Sequence, residues 1–233
     1  MAEPRVSALW RYPVKSLRGE PLDEAEIRDD GIAGDRLVHV LEPSGRVVTS
    51  RYRPGLLGLA GSLDANGEPL IEGHPWDSPE ALRAVRAASA PDVVLQRFAE
   101  PDRGQRYDVL PLTVLTDGMV EAVGFDDRRF RPNILIAGVE GLEERSWVGA
   151  MLGIGRTLIG VKKPRARCVM TTFDPDTLEQ DPAVLKRIVR AFDGQVALDC
   201  WVIRPGTVSV GDRVEPAELP VDQFPPPGNA DAS

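Results

Sequence analysis

Apolar residues along the chain come in short runs separated by turn chemistry, the pattern of many small strands rather than of long helices. Val6 to Trp10 is the first such run. Arg36 to Leu41 leads into Pro43-Ser44-Gly45 and resumes at Arg46 to Ser50, which predicts a hairpin closed by a glycine-containing turn. Leu57 to Leu63 and Leu70-Ile71 flank Asn66-Gly67, a pair whose access to positive φ makes it a strong hairpin signal. Ser78-Pro79 supplies a helix cap and a first-turn proline, and the helix runs through Val85 to a stop at Ala90-Pro91-Asp92. Val93 to Phe98 is strand-like again.

The second half continues in this manner. Leu110 to Leu115 and Asn133 to Ala137 predict strands, with a short helix from Asp117 to Val123 that Gly124 ends. Thr157 to Val161 is another strand. Asp181-Pro182 caps a helix whose Val184, Leu185, Ile188 and Val189 share one face, and Cys200 to Ile203 and Val208 to Val214 close as strands. The expected fold class is α+β, predominantly β. A β-barrel-like domain over residues 1–90 packs on a second β-barrel domain with short helices over 91–219. The tail, 220–233, carries Pro225-Pro226-Pro227-Gly228 and few apolar residues and is expected to be disordered. There is no internal repeat.

Composition narrows the function. With 42% hydrophobic residues, a chain of 233 has enough apolar material for a sizeable core. A formal charge of -8 argues against general nucleic-acid binding, so an anionic ligand requires a local basic cluster. The N-terminal stretch lacks a signal-peptide apolar region, and no run approaches the roughly 18 apolar residues of a membrane span. A cytoplasmic protein with no membrane partner is expected. Two cysteines, Cys168 and Cys200, do not suggest a disulfide scaffold. His39 and His74 lie far apart and add no zinc-ligand spacing, and neither a dinucleotide-binding glycine pattern nor a Walker A sequence occurs.

Four segments carry candidate chemistry. Arg11-Tyr12-Pro13-Val14-Lys15-Ser16 sets a cation and a hydroxyl side by side at a strand end, where an oxyanion could be held or where Lys15 could simply be solvated. Gly34-Asp35-Arg36, with Thr49 and Arg51 across the expected hairpin, offers a guanidinium at a strand start, or else a local Asp35–Arg36 ion pair. In Phe130-Arg131-Pro132-Asn133 the proline predicts an extended Arg131, and Asn133 brings both a donor and an acceptor, for a ligand or for its own turn. Finally, four of the six residues before Cys168 in Lys162-Lys163-Pro164-Arg165-Ala166-Arg167-Cys168 are basic. Nearby cations favour a thiolate, the form that ligates metal, although a cysteine is also a common small core residue.

Taken together, in this order, the segments resemble the MOSC family, from about residue 6 to 215. Tyr12 to Ser16 resembles the start of the family's N-terminal β-barrel domain. Phe130 to Asn133, Glu144 and Trp147 resemble the middle of the MOSC domain. Arg167-Cys168-Val169-Met170-Thr171-Thr172-Phe173-Asp174-Pro175-Asp176-Thr177 resembles its hallmark stretch, and Arg204-Pro205-Gly206-Thr207 with Gly211-Asp212 and Val214 its closing strands. Within the family the chain is similar to the mitochondrial amidoxime-reducing component and its bacterial relatives.

That resemblance implies a molybdenum cofactor, molybdenum-molybdopterin, with Cys168 as catalytic metal ligand. It implies that Lys15, Ser16, Arg36, Arg131, Asn133 and Arg167 hold the cofactor. It implies reduction of N-hydroxylated small molecules with electrons from a separate iron–sulfur or haem protein, or else a carrier module using a Cys168 persulfide. A family-level association with pyridoxal phosphate comes with it. The oligomeric state is left open. Three positions depart from those relatives: Ala166 replaces a serine beside an added Arg165, Leu110 replaces a hydroxyl residue, and an aromatic residue is replaced near Asp199.

Overall fold

The computed structural model describes residues 3–99 and 106–217. The first half runs through β1 (Arg5–Arg11), β2 (Glu20–Leu22), β3 (Glu24–Arg28), β4 (Gly31–Ile32), β5 (Val38–Leu41) and β6 (Val47–Val48). It continues with β7 (Gly61–Leu63), β8 (Pro69–Ile71), β9 (His74–Pro75), α1 (Pro79–Ala88) and β10 (Val94–Arg97). The second half holds β11 (Leu112–Thr116), α2 (Asp117–Val123), β12 (Ile134–Ala137), β13 (Met151–Ile154) and β14 (Thr157–Ala166). Then come α3 (Pro182–Phe192), β15 (Gln195–Arg204), β16 (Gly206–Ser209) and β17 (Val214–Ala217). The α+β, predominantly β class read from the sequence holds. No helix among the described residues is long and apolar enough to cross a membrane.

An eight-stranded sheet in the order β17-β13-β14-β15-β11-β12-β1-β2 forms the body of the molecule. Its pairs are antiparallel except β11 with β12, which run parallel and are joined through α2. Three three-stranded sheets flank it: β10-β5-β6, β16-β3-β4 and β7-β8-β9. The halves exchange strands. β1 and β2 extend the large sheet, whereas β16 pairs with β3.

The packing explains the sequence pattern. Leu112 and Val114 of β11 face a core shared with Ile27, Ile32 and Val208, while Leu115 faces α2 and α3. With both faces covered, the strand has no polar alternation to show. A separate core of Val14, Leu17, Val38, Val40, Leu56 and Val85 holds the β5 sheet to α1.

Local signals worked where they were strong. Asn66-Gly67 closes the β7–β8 hairpin with Gly67 at φ 82, and Ser78 Oγ caps α1 by accepting from Ala81 N–H at 3.2 Å. Four expectations need correction. Pro54–Gly58 is a 3-10 turn opened by its proline, so the Leu57 end of the expected strand is not extended. A turn at Gly211 splits Val208 to Val214 into β16 and β17. α3 buries Val184, Ile188 and Phe192, whereas Val189 is 57% exposed, because the buried stripe follows a strict four-residue step. Arg36 does not start a strand: it sits in a turn at φ 50, and β5 begins at Val38. The tail expected from residue 220 lies outside the described residues.

Candidate functional site

The segment after β1 turns back on itself because Val14 and Leu17, both at 0% exposure, are pulled into the core beside β5. Lys15 N–H donates to Val38 O at 2.8 Å, and Ser16 is forced to φ 74. That backbone costs a non-glycine residue about 1–2 kcal/mol, and it leaves Lys15 and Ser16 facing a cleft between the two halves. Lys15 Nζ lies 3.2 Å from Asp108, and burial pulls its proton affinity down against that carboxylate.

Arg36 and Arg131 are held in the same unusual conformation, each at φ 50. Arg131 is thus left-handed rather than extended as Pro132 suggested: its N–H donates back to Arg128 O at 3.2 Å and its guanidinium stacks 4.2 Å over the Tyr12 ring. Three strained positions in one cavity mark a functional site more often than a structural one. Beneath them Asp35 is fully buried; it accepts from Tyr12 N–H at 2.6 Å and pairs with Arg36. Burial works against the charge on Arg36, but Asp35 together with Tyr107, Tyr12 and Asp108 more than offsets it, so its proton is held more tightly than usual.

The basic run from Lys162 to Ala166 lies on β14, in the arm it forms with β15. Register shifts between Val161 and Lys163, and between Pro164 and Ala166, bend this arm. Bulges of this kind re-aim side chains beside functional sites. Arg165, Ala166, Arg167 and Cys168 all line the cleft. Arg165 is anchored by Asp199, which is 0% exposed. Arg167 donates from Nη2 to Phe130 O at 2.8 Å. Cys168 is half-buried and reduced, and its carbonyl accepts from Thr171 N–H at 3.1 Å and Thr171 Oγ1 at 2.9 Å. Cys200 is different: it is wholly buried in the main core, which pushes its thiol up.

The cleft measures about 260 Å³ and brings together Lys15, Ser16, Arg36, Arg131, Arg167 and Cys168 from the seven residues named from the sequence. Asn133 does not line it. Its side chain is fully buried, accepting from Thr113 N–H at 3.1 Å and donating to Trp10 O at 3.2 Å and Asp35 Oδ2 at 3.4 Å. It clamps the strands under the site. The cleft adds Thr49, Arg51, Tyr107, Asp108, Arg129, Arg165 and Met170. Tyr107 and Asp108 were missed; only the alternating charge of Arg106-Tyr107-Asp108 before β11 could have hinted at them. Ala166 and Leu110 both face the cleft, so the two lost hydroxyls leave an apolar stretch of wall.

Electrostatics distinguish the cations. Arg36, Arg129 and Arg165 are each backed by a carboxylate, from Asp35, Asp174 and Asp199, while Lys15 and Arg51 share Asp108. Arg131 and Arg167 have no carboxylate partner among the described residues. Burial pulls Arg131 down to about 10. Burial, then Arg165, pulls Arg167 down to about 9, and its Nε and Nη1 are buried without a hydrogen-bond partner. Two guanidiniums without a carboxylate partner among the described residues thus stand beside a thiol, an arrangement suited to an anion. No cluster of three or more His, Cys, Asp or Glu among the described residues could hold a metal alone. A metal at Cys168 therefore has to bring other ligands with it.

Fold and cleft define a two-part β protein with a cation-lined cysteine site at the seam. Family models for the MOSC N-terminal beta barrel domain and the MOSC domain match residues 3–98 and 112–215, and the chain belongs to the MOSC family. It is 27% identical to mitochondrial amidoxime reducing component 2 of Macaca fascicularis, over 74% of this chain and 67% of that one. It is 26% identical to mitochondrial amidoxime-reducing component 1 of Homo sapiens, over 90% of this chain and 82% of that one. Among solved structures, YUAD protein from Bacillus subtilis shares the fold at a TM-score of 0.50 and 14% identity, over 91% of this chain and 94% of that one.

Proposed function

We propose that the cleft holds a molybdenum-molybdopterin cofactor with Cys168 as the protein's ligand to the metal. On this reading the chain is an oxidoreductase acting on N-hydroxylated small molecules with electrons from a separate iron–sulfur or haem protein. The observation that carries it is the pair Arg131 and Arg167, buried guanidiniums without a carboxylate partner, flanking a half-buried thiol in a cleft of about 260 Å³. A phosphate-bearing pterin supplies the missing negative charge, and a thiolate suits a metal that already carries sulfur donors. The names of the relatives support the reaction class.

Arg131 and Arg167 bind the anionic group; Lys15 and Ser16 add donors from the same cleft. Arg36 and Arg165, fixed by Asp35 and Asp199, orient the ligand without themselves needing its charge. Asn133 acts at one remove by holding Asp35 and the strand ends in register. When bound, the molybdenum centre supplies the two-electron chemistry.

The test is elemental analysis for molybdenum and pterin fluorescence after oxidation, on protein from a cofactor-competent host, wild type beside Cys168→Ala. About one metal and one pterin per chain, with the metal lost or altered in the variant, is the expected result. Absence of both from the wild type overturns the reading. Sulfane sulfur on Cys168 in such metal-free protein supports the persulfide carrier in its place.

A further inference from the structure

A second pocket lies against the cleft and shares its Arg129, Arg131 and Met170 wall. Its other faces are Trp10, Tyr12 and Phe173, with Leu57 closing one side. At about 80 Å³ it is roughly half the ~150 Å³ of an apolar cavity that takes up benzene. It is open at its mouth, so one ring enters edge-first while anything attached to the ring stays outside. Trp10, Tyr12 and Phe173 give the pocket an aromatic lining, which favours an aromatic ring.

The pocket lining is also basic. Arg18 is exposed, and its guanidinium has no partner among the described residues. Arg129 gives one nitrogen to Asp174 but leaves Nη1 buried without a partner. Arg128, by contrast, is spent on Asp126 and Asp176. The unpaired positive charge in the lining selects an acid.

We propose that this pocket is an anchoring subsite for a single-ring aromatic acid. The ring is held among Trp10, Tyr12 and Phe173, and the acidic group is held by Arg18 and Arg129. Met170, two residues beyond Cys168, forms the partition between this subsite and the cleft. Its flexible thioether lets the wall adapt to what lies on either side. Calling the ligand a substrate rests on the function proposed above; its binding does not.

The experiment titrates the full chain, purified from the cofactor-competent host and assayed for molybdenum, with three probes. These are benzoate, benzamidine (the same ring with opposite charge) and 2-naphthoate (the same acid on two rings). Saturation-transfer NMR and calorimetry read the binding. Benzoate is expected to bind with a Kd on the order of millimolar, as befits so small a ligand, and the other two at least about tenfold more weakly. Arg18→Glu, an exposed substitution, is expected to weaken benzoate about fivefold and to favour benzamidine. Leu57→Trp fills the pocket and is expected to abolish benzoate binding, with an unchanged melting temperature showing that the protein still folds. Benzoate bound no better than benzamidine, or unaffected by Leu57→Trp in a folded variant, overturns the proposal. So does a loss confined to Arg36→Gln, which would put the benzoate in the cleft instead. The expected pattern in protein free of molybdenum and pterin keeps the subsite and removes the proposed reaction. Loaded protein that ignores benzoate does the reverse.

Discussion

Glu144 should make stability fall as pH rises, the opposite of the usual paired carboxylate. It sits in a 3-10 turn at Glu143–Trp147 with 1% exposure. Its Oε2 accepts from Thr116 N–H at 3.1 Å and from the Thr116 hydroxyl, which in turn accepts from Met119 N–H at 3.2 Å to cap α2. No cation forms an ion pair with it among the described residues. Burial therefore outweighs the two hydrogen bonds and lifts the carboxyl from an ordinary 4.5 to about 7. A gap of about 2.5 pH units at about 1.4 kcal/mol each is about 3 kcal/mol. Because the folded value is the higher one, this stability is fully present below about pH 4.5 and is lost as pH rises through about 7. Glu144→Gln keeps an acceptor for Thr116 and removes the charge. In urea unfolding across pH 4.5 to 8, the variant should match the wild type at the acidic end and exceed it by about 3 kcal/mol at the alkaline end. A difference that stays constant with pH, or a variant less stable than wild type at pH 8, would refute this account of Glu144.

Three further substitutions test the scaffold of the site. Asp35→Ala strips Arg36 of its buried partner and Tyr12 N–H of its acceptor, and should cost about 3–5 kcal/mol in urea unfolding; a loss under about 1 kcal/mol would mean that the pair is not buried as described. Ala197 lies at φ 71 inside β15 with 1% exposure, so Ala197→Gly should stabilise the protein by about 0.5–1 kcal/mol, read as a raised melting temperature. Arg167→Gln should act in opposite directions on stability and binding. The wild type carries a guanidinium that burial and Arg165 both disfavour, so the cofactor-free variant should gain about 1–2 kcal/mol. Pterin retained through purification should fall at least about tenfold; equal retention would remove Arg167 from the anion site.

The elements legible in the sequence were those whose ends are chemically marked. Ser78-Pro79, Asp181-Pro182 and the left-handed Gly124 after α2 are local signals, read without knowing the rest of the chain. The small strands β2, β3 and β4 were not read, because two to five residues bounded by charged positions carry too little periodicity. The long arms β14 and β15 were read at half their length for another reason. Bulges at three points break the two-residue alternation, so the strand reading stopped at Val161. Arg131 was misjudged because a rule about the residue before proline is a weak preference, and a stack on Tyr12 plus a hydrogen bond to Arg128 overrode it.

The site was legible as a list of residue types and not as an arrangement of charge. Proximity of Asp35 and Arg36 is written in the chain, but Arg129 finds Asp174 45 residues away and Arg165 finds Asp199 34 residues away. Only those distant pairings tell a satisfied cation from an under-compensated one, and that distinction singles out Arg131 and Arg167. The same holds for the departures from the family pattern. Taken one at a time, an added Arg165 and a replaced aromatic near Asp199 are two separate losses of cofactor contact. In the fold Arg165 forms an ion pair with the buried Asp199 and lines the cleft, so the added arginine arrives with its charge already met. Arg165→Ala would strip the fully buried Asp199 of its ion-pair partner, with its Oδ2 already without a hydrogen bond, and is expected to be destabilising. Arg165 is thus a fixed cation in the cleft wall, and the proposed anion-binding role falls to the two arginines that have no carboxylate partner among the described residues.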